Sequence, residues 1–125
     1  MKKEIKTQHA PKAIGPYSQG MATEQLLFIS GQLPLNPETG EMGEDVVTQT
    51  KQSLSNLKAI LEQDGLMMSD VVKTTIFVKD IEEFAAVNEV YGEFFSEPYP
   101  ARSTIEVARL PKDAKVEIEA IVTRN

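Results

Sequence analysis

Hydrophobic positions in this chain change their spacing several times, and each change predicts a different element. From Glu44 to about Asp64, Val47, Thr50, Leu54, Leu57 and Leu61 recur at three- and four-residue steps, while Lys51, Gln52, Lys58 and Glu62 fall on other faces. That period predicts an amphipathic helix. Glu44 and Asp45 suit its positive N-terminal end, and Gly65 stands where a helix C-terminus favours positive φ. A second stripe of Phe84, Val87, Tyr91 and Phe94 follows the capping pair Asp80 and Glu83, with Asn88 beside it. Pro98 and Pro100 stop that pattern.

Other segments are β-branched and change to a period of two. Glu24 to Ser30 reads as a strand that ends in a loop rich in Gly, Pro and Asn, and Val71 to Val78 reads as another. Pro100 to Ala108 and Val116 to Val122 are separated by the turn signal Leu110-Pro111-Lys112-Asp113, which suggests a hairpin-like C-terminal unit. In the former, Ser103, Ile105, Val107 and Arg109 share one face and Arg102, Thr104, Glu106 and Ala108 the other. In the latter, Val116, Ile118, Ala120 and Val122 oppose Lys115, Glu117, Glu119 and Ile121. The order of elements predicts an α+β sandwich: a mainly antiparallel sheet carrying two helices on the apolar side of its strands. The mixed side is left to face solvent or another copy of the chain.

A length of 125 residues fits one domain spanning 1–125, and the apolar share of 41% is ordinary for a globular protein. No apolar run approaches the ~20 residues of a membrane span, and no apolar segment follows the basic N-terminal residues, so a cytoplasmic location is expected. The chain has no cysteine and one histidine, His9, which removes thiol chemistry, disulfides and nitrogen-rich metal sites. Glu82, Glu83, Glu117 and Glu119 have no calcium-loop spacing, so no metal is expected. A net charge of −6 opposes general attraction to nucleic acid.

The candidate chemistry begins at Arg102, because a guanidinium on a strand is costly unless an anion meets it. It either pairs with Glu106, Glu117 or Glu119, or offers its planar fork to a carboxylate ligand. Glu117 is either a solvated strand residue or a carboxylate that activates water. Tyr17, within Gly15-Pro16-Tyr17-Ser18-Gln19-Gly20, is a packing ring or a ligand wall with a hydroxyl, and Ser30-Gly31 ends a strand or lets a ligand approach the backbone. Met67, Met68 and the run from Tyr91 to Phe95 read as core. A serine hydrolase lacks its histidine base outside the N-terminal segment, and no glycine-rich phosphate loop is present.

The segments Gly15 to Gln19, Ser30 to Gln32, Asn88 to Tyr91, Pro100 to Ser103, Arg109 to Asp113 and Val116 to Ala120, in this order, resemble the RidA (YjgF) family across nearly the whole chain. The resemblance implies a chorismate-mutase-like α+β unit assembled as a homotrimer with clefts between subunits. It implies cofactor-free hydrolysis of 2-enamine and 2-imine acids, such as 2-aminoacrylate and 2-aminocrotonate, to 2-keto acids and ammonia. A functional link to pyridoxal-phosphate-dependent dehydratases, which release such enamines, is implied with it. By position, Arg102 holds the substrate carboxylate, Glu117 orients water and assists proton transfer, and Tyr17, Ser30, Gly31 and Asn88 line the cleft. Many members carry cysteine where this chain has Thr104, which cannot form a thiolate. Alternative roles are a keto-acid-binding regulatory protein, or an endoribonuclease that inhibits translation; the acidic charge argues against the latter.

Overall fold

The alternation of apolar and polar side chains resolves into one six-stranded mixed sheet with both helices on one face, in a computed structural model describing residues 1–125. The strands are β1 (Lys3–Ile5), β2 (Gly20–Ala22), β3 (Leu26–Gln32), β4 (Val71–Val78), β5 (Ala101–Glu106) and β6 (Val116–Thr123), in the spatial order β1-β2-β3-β6-β4-β5. Every pairing is antiparallel except β4 with β5. No helix is long and apolar enough to cross a membrane.

Helix α1 (Val46–Gln63) and helix α2 (Phe84–Phe94) cover the face formed by Leu27, Ile29, Thr74, Ile76, Val78, Val116, Ile118, Ala120 and Val122. Leu54, Leu57, Ile60 and Leu61 of α1 are fully buried against it, as the helical period requires. Gly65, at φ +75°, ends the helix in the left-handed region. Asp80 accepts a hydrogen bond from the Glu82 amide at 3.0 Å and caps a 3-10 turn, Ile81–Glu83, that leads into α2.

Three expectations are corrected. β5 and β6 do not form a hairpin, because β4 lies between them and β5 runs parallel to β4 at the sheet's edge. The pairings Thr74 with Arg102, Ile76 with Thr104 and Val78 with Glu106 put the polar side of β5 on the helix face. Ile105 instead lies on the open face and is 45% exposed. The edge position explains this inversion, since α2 reaches only part of β5 and does not demand an apolar side there. Met67 is likewise not core but 63% exposed.

The N-terminal segment contributes two strands of three residues each, β2 beginning three residues after Tyr17 where the Gly-Pro turn hands over to a strand, and β1 too short to show a period. It is fastened by Gln19, which is buried beside β2. The Gln19 carboxamide accepts from the Thr7 amide at 2.8 Å and donates to the carbonyls of Thr7, Ala10 and Pro11 at 3.0, 3.3 and 2.8 Å. At the opposite end of the chain, Arg124 pairs with Asp64 at 2.8 Å and also donates to the Thr23 carbonyl.

Replacing Leu57 by Ala removes a fully buried side chain from the helix–sheet seam. The expected loss is about 2–5 kcal/mol in urea unfolding at fixed protein concentration.

Candidate active site

Two groups of polar side chains stand out, one on each face of the sheet. The first is built by α2 and β5. Phe84, Asn88 and Tyr91 recur at helical spacing and turn toward the strand, where Arg102 extends over them. The guanidinium carbon lies 5.2 Å from the Phe84 ring centroid and 4.9 Å from that of Tyr91, and one amino group donates to Asn88 Oδ1 at 2.8 Å. Ring faces attract the cation and the amide orients its plane, while neither contact neutralises its charge.

Both ion pairs of the chain lie elsewhere, Lys79 with Asp113 and Arg124 with Asp64. The alternative of pairing Arg102 with Glu106, Glu117 or Glu119 is therefore not realised. Glu106 instead accepts from the Ile81 amide at 2.8 Å. Arg102 borders an open cleft of about 530 Å³ with Asn88, Tyr91, Gly92, Tyr99 and Pro100. Burial pushes the Tyr91 phenol above its ordinary pKa, against the opposing influence of its hydrogen bond to Thr74 and the charge of Arg102. The ring thus stays neutral under the cation, fixed by Thr74 at 2.7 Å. Thr104 is half-buried two residues along the same face.

The second group lies on the open face, where β3 meets β6. Between Ile29 and Gln32 the pairing shifts register, so Ser30 and Gly31 form an irregularity in the ladder. The Ser30 hydroxyl donates to the Ser18 carbonyl at 2.6 Å and its amide to the Gln19 carbonyl at 2.9 Å. Glu117 lies against Gly31: a Cβ at position 31 would come within 2.3 Å of Glu117 Oε2 and 2.9 Å of its Cδ. Only glycine leaves room for the carboxyl group in that position. Burial raises the Glu117 pKa above its ordinary value, and the neighbouring Glu119 charge raises it further.

Within one chain the two groups remain apart. Arg102 pairs in register with Thr74 and Glu117 with Phe77, and these two positions on β4 point to opposite faces. Tyr17, 54% exposed, joins neither group directly. It borders a cavity of about 760 Å³ with Lys6, His9, Lys12 and Gln19, adjacent in sequence to Ser18, which anchors Ser30. No group of three His, Asp or Glu side chains converges on a metal-sized site.

Sequence patterning missed the roles of Phe84 and Tyr91 as ring platforms, having read both as core stripe. The signal was available, since Asn88 is four residues after Phe84 and three before Tyr91 and so shares their face. Tyr99, 59% exposed at the cleft, carried no such signal.

The Glu117 pKa has a thermodynamic consequence. The unfolded chain ionises this residue at lower pH than the folded chain, so the folded state binds more protons in the interval between the two pKa values and loses stability as pH rises through it. Glu117→Gln is expected to raise the melting temperature at pH 7, with the gain disappearing below the ordinary glutamate pKa. Calorimetry at pH 7 and at pH 4 checks this, and an equal gain at both would reject burial of the charge as its cause.

Comparison with known proteins agrees with this architecture. Residues 7–124 match the family described as Endoribonuclease L-PSP. The 2-iminobutanoate/2-iminopropanoate deaminase of Escherichia coli strain K12 is 56% identical over 127 aligned positions covering 99% of each chain. The crystal structure of the E. coli YjgF gene product superposes with a TM-score of 0.95 at 56% identity, covering 98% of this chain and 99% of that one. E. coli TdcF with bound serine gives 0.95 at 52% identity with the same coverage. A match of this extent in both sequence and fold places the chain in the RidA (YjgF) family, the group that the L-PSP description also denotes.

Proposed function

We propose that the protein hydrolyses reactive 2-imino and 2-enamino acids, 2-iminobutanoate and 2-iminopropanoate among them, to 2-keto acids and ammonia. The observation that carries this reading is Arg102: a guanidinium held by two rings and one amide, facing a cleft, with no protein carboxylate on it. A 2-imino acid supplies the missing anion. The 56% identity to a 2-iminobutanoate/2-iminopropanoate deaminase supports the same choice of substrate.

In this mechanism Arg102 binds the substrate carboxylate by paired hydrogen bonds, and Asn88 keeps the fork in plane. The enamine tautomerises to the imine, whose carbon is electrophilic. Water held by the Glu117 carboxylate attacks that carbon, Glu117 takes a proton from the water, and the resulting carbinolamine receives a proton at nitrogen. The proton that Glu117 took from water is the one returned to nitrogen; the carbinolamine hydroxyl then gives its proton to Glu117, which passes it to the amine as the C–N bond breaks, releasing ammonia and the keto acid. A carboxyl pKa raised by burial makes Glu117 a stronger proton acceptor than an ordinary carboxylate. Ser30 and Gly31 line the water side and Thr104 the arginine side, with Tyr17 at the approach to the cleft beside Ser18. Positioning supplies most of the acceleration, and no cofactor is needed.

Because Arg102 and Glu117 face opposite sides of one sheet, the working cleft needs two copies of the chain. The open face supports this requirement. Phe28 and Ile105 are 43% and 45% exposed there, beside half-buried Met21, Phe77 and Ile121. A homotrimer that turns these faces inward would cover them and form a cleft at each boundary, with Arg102 from one subunit and Glu117 from its neighbour. Pyridoxal-phosphate-dependent dehydratases, which generate enamines from hydroxyamino acids, are the enzymes expected to supply the substrate.

A coupled assay in which threonine dehydratase generates the enamine tests this reading by following its decay and keto-acid appearance. Arg102→Lys should lower kcat/KM about 10–100-fold and Arg102→Ala more, because a point charge replaces, or nothing replaces, the bidentate fork. Activity should fall as pH drops through the raised Glu117 pKa, and Glu117→Gln should remove that limb along with about 10²–10⁴-fold of kcat. Full activity in Arg102→Ala would refute the clamp, while keto-acid binding without accelerated ammonia release would identify a sensor instead.

A further inference from the structure

The buried side of α1 carries two carboxamides as well as its apolar stripe. Gln49 is 3% exposed and Asn56 is 1% exposed. Neither belongs to either polar group described above, and a buried amide is costly unless every donor and acceptor is used. Both are used on main chain beyond the helix. Gln49 Oε1 accepts from the Lys115 amide at 2.8 Å, and its Nε2 donates to the Gly43 carbonyl at 2.7 Å. Asn56 Nδ2 donates to the carbonyls of Leu33 at 3.0 Å and Leu35 at 2.9 Å, and Gln52 completes it by donating to Oδ1 at 2.8 Å.

The positions of these anchors along the chain are informative. Lys115 is two residues before Glu117 at the start of β6, and Leu33 is two residues after Gly31 at the end of β3. The strands meet there with a carboxyl group against a glycine, at the point where the β3–β6 ladder loses regular pairing. The bulge therefore has fewer ladder hydrogen bonds to fix it than the rest of the sheet. Gln32 supplies one local brace, donating to the Ser30 carbonyl at 3.0 Å. One rigid helix gripping both strand ends fixes the remaining degree of freedom, the displacement of Glu117 relative to Gly31.

We propose that Gln49 and Asn56 are positioning residues for the Glu117 carboxyl group, acting through the Lys115 amide and the Leu33 and Leu35 carbonyls. The inference rests on the proposed deaminase reading, in which Glu117 must hold water at a defined distance from the imine carbon. Releasing either anchor lets β6 or the bulge relax, so Glu117 swings toward solvent, its pKa falls toward the ordinary value and the attacking water is misplaced.

The test compares Gln49→Met and Asn56→Ser with Thr50→Val in the intact protein. Thr50 is equally buried on α1, but its hydroxyl donates only to Val46 within the helix at 2.7 Å. In each anchor variant, kcat should fall about tenfold or more. KM should stay within about twofold, because Arg102 and Asn88 are untouched. The acid limb of the pH profile should move to lower pH. Thr50→Val should lose stability yet keep kcat and the limb of the wild type. In a Glu117→Gln background the anchor substitutions should add little further loss.

If the wild-type protein does not accelerate ammonia release, the deaminase reading falls; if Glu117→Gln alone retains wild-type kcat, the role of Glu117 falls and the positioning inference with it. If Glu117→Gln is impaired while folded Gln49→Met and Asn56→Ser match the wild type, only the positioning inference falls. Equal kcat losses in Thr50→Val would overturn it too, since buried depth would then be the cause. Should neither anchor variant fold, Gln52→Met, which only frees the Asn56 amide to turn, takes their place and should show the same shift in smaller measure.

Discussion

Strand β6 is the constraint on which the rest depends. It lies between β3 and β4 with antiparallel ladders on both sides, so neither its register nor its facing can slip without turning four buried residues, Val116, Ile118, Ala120 and Val122, out of the core. The same alternation commits Glu117, Glu119 and Ile121 to the open face. The location of the carboxyl group is thus a by-product of hydrophobic burial on the other side of one strand. Helix packing and the placement of the carboxyl group are two readings of a single period of two.

The two charged groups at the site are held by opposite means. Arg102 is held in place and left available by partners that carry no charge: two ring faces and an amide oxygen. Glu117 is made reluctant to ionise by burial and by a like charge nearby. Pairing them directly would satisfy both and leave little for a ligand. The sheet prevents this by standing between them, so that within one subunit the cation and the carboxyl group cannot neutralise each other; the cleft proposed between copies relies on that separation.

Much of the fold was legible in the pattern of residues, and the reasons for the exceptions are physical. Long periodic segments such as Val46–Gln63 and Val71–Val78 bury a full stripe or face, so their periodicity is strong. β5 is an edge strand whose burial is decided by how far α2 extends over it, which no local pattern records. The parallel pairing of β4 and β5 spans the intervening α2, so a turn signal between β5 and β6 suggested a hairpin that tertiary packing overrode. At the site, Arg102, Glu117 and Gly31 were identifiable as residues, whereas the separation of Arg102 from the other two onto opposite faces required the strand order. Gln49 and Asn56 could not be found from composition because their partners are backbone groups, which look the same at every position.

One more feature bears on how the molecule lives in a crowded solution. β2 covers the outer side of β3, and the segment leading to β1 is drawn in by the single carboxamide of Gln19, which engages four main-chain groups. Were that clasp to open, β3 would lose its partner over Leu27, Phe28 and Ile29, with Phe28 already turned outward. Such a rim is a template for strand addition by foreign chains. The short leading strands are accordingly a guard on the sheet's margin, and Gln19 is the latch that holds the guard in place.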